Sequence, residues 1–485
     1  MATLARSVSA VRSFLYSAKQ CRFSSSSGPS RQRILPAPRL DYRNVSENMV
    51  YKSTNALNRK APLPLDAIQS VARAHTELKN LMSALNSKRN ARSAVGERIR
   101  RSAEANDQEA KEAAMAEALK LKEEIAPLEA ALIVAEDNLL SLALAIPNDT
   151  HPSSPLGPES AAVTLSTHGP EPIPASPERD HVAIARKFDL VDFESGATVT
   201  GSSWYYLQNE AALLELALTN YALSIAIKHG WTPVTTPDVV RSEISSRCGF
   251  QPRDNSDPPV SQVYHIHSAK SPELILSATS EIPLAGMFAN KLFTDKALPL
   301  KVVGLGRAFR AEAGARGRDT HGLYRVHQFT KVELFAVTTQ EESEKMMEEM
   351  KSLQTTILNG LGLSFRVLDM PTEELGASAY RKYDMEAWMP GRGSWGEVSS
   401  LSNCTDYQSR RLHIRYKNNA PAPTTTTTFA HTLNGTAAAI PRLIIALLEN
   451  GAKFDELGEL VGITLPEVLR PFWIGGNERT IIQWQ

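Results

Sequence analysis

From Leu65 to Ile146 the chain contains one glycine, Gly96, and one proline, Pro127. So long a stretch almost free of helix breakers leaves few folds open. Ala118, Leu121, Ile125, Leu128, Leu132, Ala135, Leu139 and Leu142 recur in alternating steps of three and four, a coiled-coil seam. Upstream, Ala74, Leu78, Leu81, Leu85, Val95 and Ile99 keep the same register, interrupted by Lys88 and Arg92. Between the two runs, SAEANDQEA is polar and short enough for a helix-to-helix turn. The spacing predicts two helices of about 35 residues in an antiparallel arm roughly 50 Å long. Pro127 should kink the return helix or start a new segment.

The outgoing helix is basic near its end: Lys88, Arg89, Arg92, Arg98, Arg100 and Arg101, with Glu97 the one acid among them. Such a run is either a solvated face or a strip for phosphate backbones, and the sequence leaves both open. The first 40 residues hold seven basic side chains (Arg6, Arg12, Lys19, Arg22, Arg31, Arg33 and Arg39) and no acid. With the serine run Ser24 to Ser27, and Leu4, Val8, Val11 and Leu15 on one helical face, that is the composition of a transit peptide. A disordered basic tail is the alternative. The whole chain balances 53 basic against 53 acidic residues, so the part after residue 40 is mildly acidic. Any nucleic-acid binding must then rest on a local patch. No stretch reads as a membrane span of ~18 apolar residues, and no membrane partner is expected. Cys21, Cys248 and Cys404 form neither a disulfide framework nor a zinc motif.

The arm reads as residues 41–150, ended by PNDTHPSSPLGPES from Pro147, with 151–165 as linker. Over 166–485, helical runs (Asn209 to Gly230, Thr339 to Gly360, Pro441 to Gly451) alternate with strand patterns such as LKVVGLGRAF and FTKVELFAV. This is an α+β body, an antiparallel sheet carrying helices. Inside it, FRAEAGARGRDTHGLYRVHQFTKVELF, from Phe309, packs four Arg, two Glu, an Asp, two His and a Lys into 27 residues. No GxSxG and no GxxxxGK[ST] accompanies it, which removes the nucleophile elbow and the P-loop. Arg310 and Glu312 are two apart, so on a strand they share a face. The guanidinium suits a phosphate and the carboxylate an exocyclic amine. The bland alternative is an exposed ion pair of little worth.

That stretch resembles motif 2 of the class II aminoacyl-tRNA synthetases and, within them, the seryl-tRNA synthetases. SATSEIPLAG from Ser277, WGEVSSLSNCTDYQSRR from Trp395 and HTLNGTAAAIPRLIIALLEN from His431 (motif 3) continue the resemblance in family order. GWTPVTTPDVV, with Pro237, resembles motif 1. The resemblance implies a catalytic antiparallel sheet, an N-terminal helical arm and serine–tRNA ligase activity. The carboxylate of L-serine attacks the α-phosphate of ATP, and serine then passes to the 3′ end of tRNA(Ser). A carboxylate is ionised near neutral pH, so positioning and charge neutralisation suffice.

Carried over by position, the catalytic roles fall to Arg310 and Arg442, with Arg310 on the α-phosphate and the substrate carboxylate. Glu312 takes the adenine amine, Phe329 stacks on adenine with Arg442 on its other face, and Arg325 meets the terminal phosphates. Glu397, Val398, Ser399 and Ser400 line ATP, Glu397 and Ser400 as ligands of Mg2+. Thr279, Glu281, Glu333 and Thr436, with Arg310, bind serine. Glu333, an acid amid Val332, Leu334 and Phe335, is costly to bury without a cation, and the substrate ammonium provides one. Lys88, Arg89, Arg92, Arg98, Arg100 and Arg101 fall to tRNA(Ser). The resemblance also implies a homodimer through motif 1 and, with the leader, a mitochondrial-matrix location.

Family members commonly carry glycine where this chain has Ala437 and Pro441; Pro441 suits the first turn of the helix that follows. Thr424 to Thr428 reads as a flexible loop. The rival reading, a catalytically inactive relative kept for RNA binding or structure, should have lost part of the charged set. Arg310, Glu312, Arg325, Glu397 and Arg442 are all present. A relative that loads a carrier protein would lack the long arm, and a purely structural coiled coil would not need the larger body.

Overall fold

The computed structural model describes residues 35–250, 262–267, 272–311, 320–417, 426–476 and 481–485. The amphipathic leader and Glu312 lie outside these residues. Two compact units result: Leu40–Leu57 with Ala61–Ile146, and residues 35–39 with Asn58–Lys60 and Pro147–Gln485.

The first unit is the expected hairpin. Its outgoing helix spans Ala67–Glu104 and its return helix Gln108–Leu144. The turn is shorter than the polar nonapeptide suggested. Asn106 takes a left-handed φ of 55°, and Asp107 caps the return helix by accepting from the Ala110 amide at 3.0 Å. Pro127 lies inside the return helix and starts no new segment. The missing N–H costs one backbone bond, which a seam packed on both sides outweighs. That seam holds two apolar clusters: Ile68, Val71, Ala74, Leu139, Ala143 and Ile146 towards the chain ends, and Val95, Ala114 and Leu121 towards the turn.

The second unit is built on an eight-stranded sheet. Its strands are β1 Val163–His168, β2 Thr232–Thr235, β3 Leu300–Phe309, β4 Gln328–Thr338, β5 Phe365–Asp369, β6 Arg381–Met389, β7 Ser394–Asn403 and β8 His431–Ala439. Their order is β1-β5-β6-β7-β8-β4-β3-β2, antiparallel throughout except for the edge pair β2 and β3. Helices Asn209–Lys228, Ser343–Gly360 and Ile440–Gly451 cover one face and bury Leu214, Leu218, Met350, Leu353 and Ile444 with the strand residues Val332, Leu334 and Val398. The other face of β4 carries an apolar cluster at its far end. There Phe335 and Val337 join Ile282, Leu284 and Phe288 in a smaller cluster. Residues Lys331 and Glu333 sit on that same face just before it.

Four expectations change. Helix Asn209–Lys228 is, by length and composition, apolar enough to cross a membrane, contrary to the sequence reading. In the fold it is a core helix, with Ala211, Leu214, Ala217, Tyr221 and Ala226 buried. The stretch read as linker runs along the second unit: His151 N–H donates to Tyr380 O at 2.9 Å, Pro155 O accepts from the Thr372 amide at 2.9 Å, and β1 opens at Val163. Thr427 and Thr428, read as loop, belong to a short strand, Thr427–Phe429, paired with Arg415–Lys417. The last residues of the segment read as leader belong to the body. Leu35 is buried, Arg247 Nη1 donates to Pro36 O at 2.8 Å, and Arg39 N–H donates to Arg410 O at 2.9 Å.

Candidate active site

Two single-residue bulges decide which side chains face the polar side of the sheet. On β7, Ser399 pairs with Met385 and Glu397 with Glu386, so Val398 has no cross-strand partner. Strict alternation would send Glu397 and Ser400, three apart, to opposite faces. The extra residue brings them to one face. Val398 is buried in the helix-side core, and the Ser399 hydroxyl donates to Thr436 O at 2.5 Å. On β8, Thr436 pairs with Glu333 and Ala438 with Val332, which leaves Ala437 as the extra residue. Gln354, from helix Ser343–Gly360, pins both bulges. Its Nε2 donates to Ser399 Oγ at 2.9 Å, Ser400 O at 2.8 Å and Thr436 O at 3.0 Å. A Cβ at Gly435 would meet that Nε2 at 3.0 Å, so the glycine makes room for the pin.

Two arginines flank the polar face. Arg310 leaves β3 with its Nε donating to Ala278 O at 3.3 Å and its guanidinium over the Phe329 ring at 5.3 Å. Pro441 occupies the first turn of helix Ile440–Gly451, so Arg442 starts from a fixed backbone. Its guanidinium lies over the Tyr324 ring at 4.6 Å, and Nη1 donates to Glu397 O at 2.9 Å with Glu397 Oε2 at 3.3 Å. The sequence reading set Phe329 and Arg442 about one ligand ring. In the structure Arg310 lies over Phe329, while Arg442, held by Glu397, shares the Tyr324 ring with Arg392, which lies 3.8 Å from its centroid. Burial would raise the Glu397 carboxyl, but Arg442, then Lys382 and Arg310, outweigh it and hold it at about 2. Arg325, half-buried, follows Tyr324 directly on the approach to β4.

The acids form the floor. Glu333 is 2% exposed, and its Oε2 lies 2.5 Å from Lys331 Nζ and 3.5 Å from the Thr279 hydroxyl. Sequence reading assigned Glu333's cation to a substrate; the chain supplies one itself, two residues away on the same face. Glu281 opens the short helix Glu281–Met287 and accepts from Gln408 Nε2 at 2.5 Å and Asn434 Nδ2 at 3.0 Å. Burial, and after it the charge of Glu333, pushes the Glu281 carboxyl up to about 7. Asp384 pairs with Ser400 across β6 and β7, and Lys382 Nζ touches its Oδ2 at 2.5 Å. Its Oδ1 is buried with no hydrogen-bond partner. Burial raises this carboxyl to about 7, with Lys382 opposing and Glu397 adding.

The fold thus brings Arg310, Phe329, Glu333, Glu397, Ser400, Thr436 and Arg442 to one face. It turns the side chains of Val398 and Ser399 away, so these two can offer a ligand only backbone. Lys331, Tyr324, Lys382, Asp384, Gln408 and Asn434 were missed. For Lys331 and Lys382 the signal was available, a lysine two residues before an acid on a strand. An all-oxygen set of Glu397, Ser400 and the unpartnered Asp384 oxygen suits Mg2+. Among the described residues, the one group of three converging His and acid side chains lies elsewhere, at Asp180, His181 and Glu449. There His181 Nδ1 meets Glu449 Oε1 at 2.9 Å while Nε2 accepts from the Leu323 amide at 3.3 Å, so the ring is fully used within the protein.

On the arm, four of the six basic residues face acids. Lys88 meets Glu124 at 2.7 Å, Arg89 meets Glu129 at 2.7 Å, and Arg98 meets Glu117 at 2.9 Å, all across the hairpin. Arg100 pairs within its own helix with Glu97 at 2.7 Å. Arg92 is exposed and Arg101 lies in the last turn of its helix; neither has an ion pair among the described residues. Only Glu97 was visible as an opposing acid in the local sequence.

Two family models match the chain: the seryl-tRNA synthetase N-terminal domain over residues 40–150, and the tRNA synthetase class II core domain (G, H, P, S and T) over 264–451. The serine–tRNA ligase of Rhodopirellula baltica is 42% identical over 441 residues, 90% of this chain and 98% of that relative. The mitochondrial serine–tRNA ligase of Schizosaccharomyces pombe is 38% identical over 439 residues, 89% of this chain and 88% of that one. The solved seryl-tRNA synthetase of Pyrococcus horikoshii complexed with ATP has a TM-score of 0.79 at 32% identity, covering 89% of this chain and 98% of its own.

Proposed function

Because the chain belongs to the class II seryl-tRNA synthetases, we propose that the polar face of its sheet joins L-serine to ATP and that its arm holds tRNA(Ser). The activity is that of a serine–tRNA ligase. A serine carboxylate oxygen bonds to the α-phosphorus as the bond to pyrophosphate breaks, giving seryl-adenylate. A hydroxyl at the tRNA 3′ end then takes the acyl group and AMP leaves. Neither step needs an activated side-chain nucleophile. The observation that carries the reading is the convergence, on one face, of two guanidinium groups with a buried acid beside two threonines.

Arg310 neutralises the α-phosphate and the approaching carboxylate, and Arg442 the nucleotide from the opposite side. Glu333 receives the serine ammonium and Thr279 and Thr436 surround it; a site that bonds the hydroxyl rejects alanine by leaving its own groups unpaired. Glu281, already held by Gln408 and Asn434, shapes that pocket from behind. Glu397 and Ser400 would hold Mg2+, with Asp384 behind them, and the ion would supply charge neutralisation at the phosphates. ATP–pyrophosphate exchange with serine, threonine and alanine tests the reading. Serine alone should support exchange, and equal rates with alanine would overturn it.

The homodimer is proposed on the segment that resembles motif 1, whose strand β2 is an edge of the eight-stranded sheet; mass measurement by light scattering tests it. A mitochondrial location is proposed from the acid-free leader and from mitochondrial relatives such as that of Schizosaccharomyces pombe. Residues 1–34 fused to a reporter should carry it into mitochondria, and a cytosolic reporter would reject the leader. A chain starting at Asp41 loses the contacts of Leu35, Pro36 and Arg39 with the body. It should melt several degrees below one starting at Leu35, for a loss of ~1–2 kcal/mol. Equal melting temperatures would show those contacts to be idle.

A further inference from the structure

Lys331 and Glu333 are among the most buried charges of the fold, with side chains 8% and 2% exposed. Burying such a pair is weak evidence for stability, since desolvation offsets most of the attraction. Lys331 reaches the face of β4 that carries the serine site and contacts the very oxygen that Thr279 also approaches. We propose that Lys331 is a positioning residue of the serine site: through its ion pair with Glu333 it holds that carboxylate in place for the substrate ammonium and competes with the ammonium for it. This rests on the reading that Glu333 receives that ammonium.

The charged groups around Glu333 make Lys331 hard to replace. From its own strand comes Lys331; from the end of β3, Arg310; from the segment before helix Glu281–Met287, Glu281 and the Thr279 hydroxyl; from β8, Thr436. Two acids thus share two cations, and Arg310 is committed to phosphate and carboxylate. Without Lys331, two neighbouring buried carboxylates would share one cation, and one of them would take up a proton. Burial already pushes the Glu333 carboxyl above its ordinary range, and Lys331 is the largest influence opposing that, ahead of Arg310. An ammonium binds only the ionised form. Loss of Lys331 must therefore weaken serine binding as pH falls, and relieve competition as pH rises. A residue that merely shaped the strand would change affinity by one factor at every pH.

The test is the serine KM in ATP–pyrophosphate exchange for Lys331→Met and wild type, measured side by side from pH 6 to 8.5. Because Glu281 and the substrate amine titrate in both proteins, the quantity read is the ratio of variant to wild type. It should rise about tenfold or more between pH 8.5 and pH 6, tenfold per pH unit at the limit. At pH 8.5 it should be near or below one. Lys331→Arg should restore a flat ratio. Lys331→Gln, which keeps a donor without the charge, should repeat the rise should the methionine variant fail to fold. A ratio independent of pH in the uncharged variants overturns the proposal. Glu333→Gln separates this from failure of the underlying reading: a near-normal serine KM there would mean that Glu333 does not receive the ammonium at all.

Discussion

Arg310→Ala protein keeps its fold and loses serine-dependent ATP–pyrophosphate exchange by about 10²–10³, the usual cost of one preorganised donor. The fold should survive because Arg310 is only half-buried, its Nε donating to Ala278 O at 3.3 Å and its guanidinium lying over Phe329 outside the apolar clusters. Its loss strips no core. Its proposed chemistry is harder to replace, since a guanidinium fork can meet phosphate and carboxylate together, and its charge also favours the ionised forms of Glu333 and Glu397. Arg310→Lys keeps the charge without the fork and should recover a minor part of the rate. Exchange within a few-fold of wild type by a folded alanine variant would remove Arg310 from the reaction.

Shortening the arm should divide the two half-reactions. Replacing Lys88 to Glu124 with a short turn cuts at a cross-hairpin ion pair, so both stumps end level. The cluster of Ile68, Val71, Ala74, Leu139, Ala143 and Ile146 is kept, and that of Val95, Ala114 and Leu121 goes. Serine–ATP exchange should be unchanged, while kcat/KM for tRNA charging falls at least about a hundredfold, as befits several lost phosphate contacts. The pairings on the arm refine this. Arg92 and Arg101 are ready for phosphate, whereas Lys88, Arg89, Arg98 and Arg100 must first leave a carboxylate. Arg92→Ala with Arg101→Ala should therefore cost more than Arg89→Ala with Arg98→Ala. Wild-type charging by the shortened protein would show that tRNA is selected elsewhere and return the basic run to a solvated face.

Periodicity made much of this legible. Heptad steps fixed the hairpin, and alternation with helical runs fixed an antiparallel sheet carrying helices. What escaped depends on pairing between distant residues. The acids opposite Lys88, Arg89 and Arg98 come from the return helix, so a scan along the basic run sees one acid where the hairpin pairs it with five. The bulges at Val398 and Ala437 exist only relative to the neighbouring strand. Ala437 has no positive φ, so no glycine is required there. Lys331 was in plain sight. Reading Glu333 against its apolar neighbours hid the lysine because those neighbours, Val332 and Leu334, point to the other face.

Register in a sheet behaves like the reading frame of a message, and the bulge at Val398 sets it for one half of the site. A point substitution there, Val398→Ala, leaves the frame intact: a core side chain shrinks, stability falls, and exchange continues. Deleting the residue removes the bulge but leaves Glu397 two residues before Ser400, and strict alternation keeps that pair on one face. Catalogues of tolerated substitutions would grade position 398 as an ordinary core valine. The arrangement is lost when the bulge closes with Val398 still present, because Glu397 and Ser400 then stand three apart on a regular strand and face opposite sides.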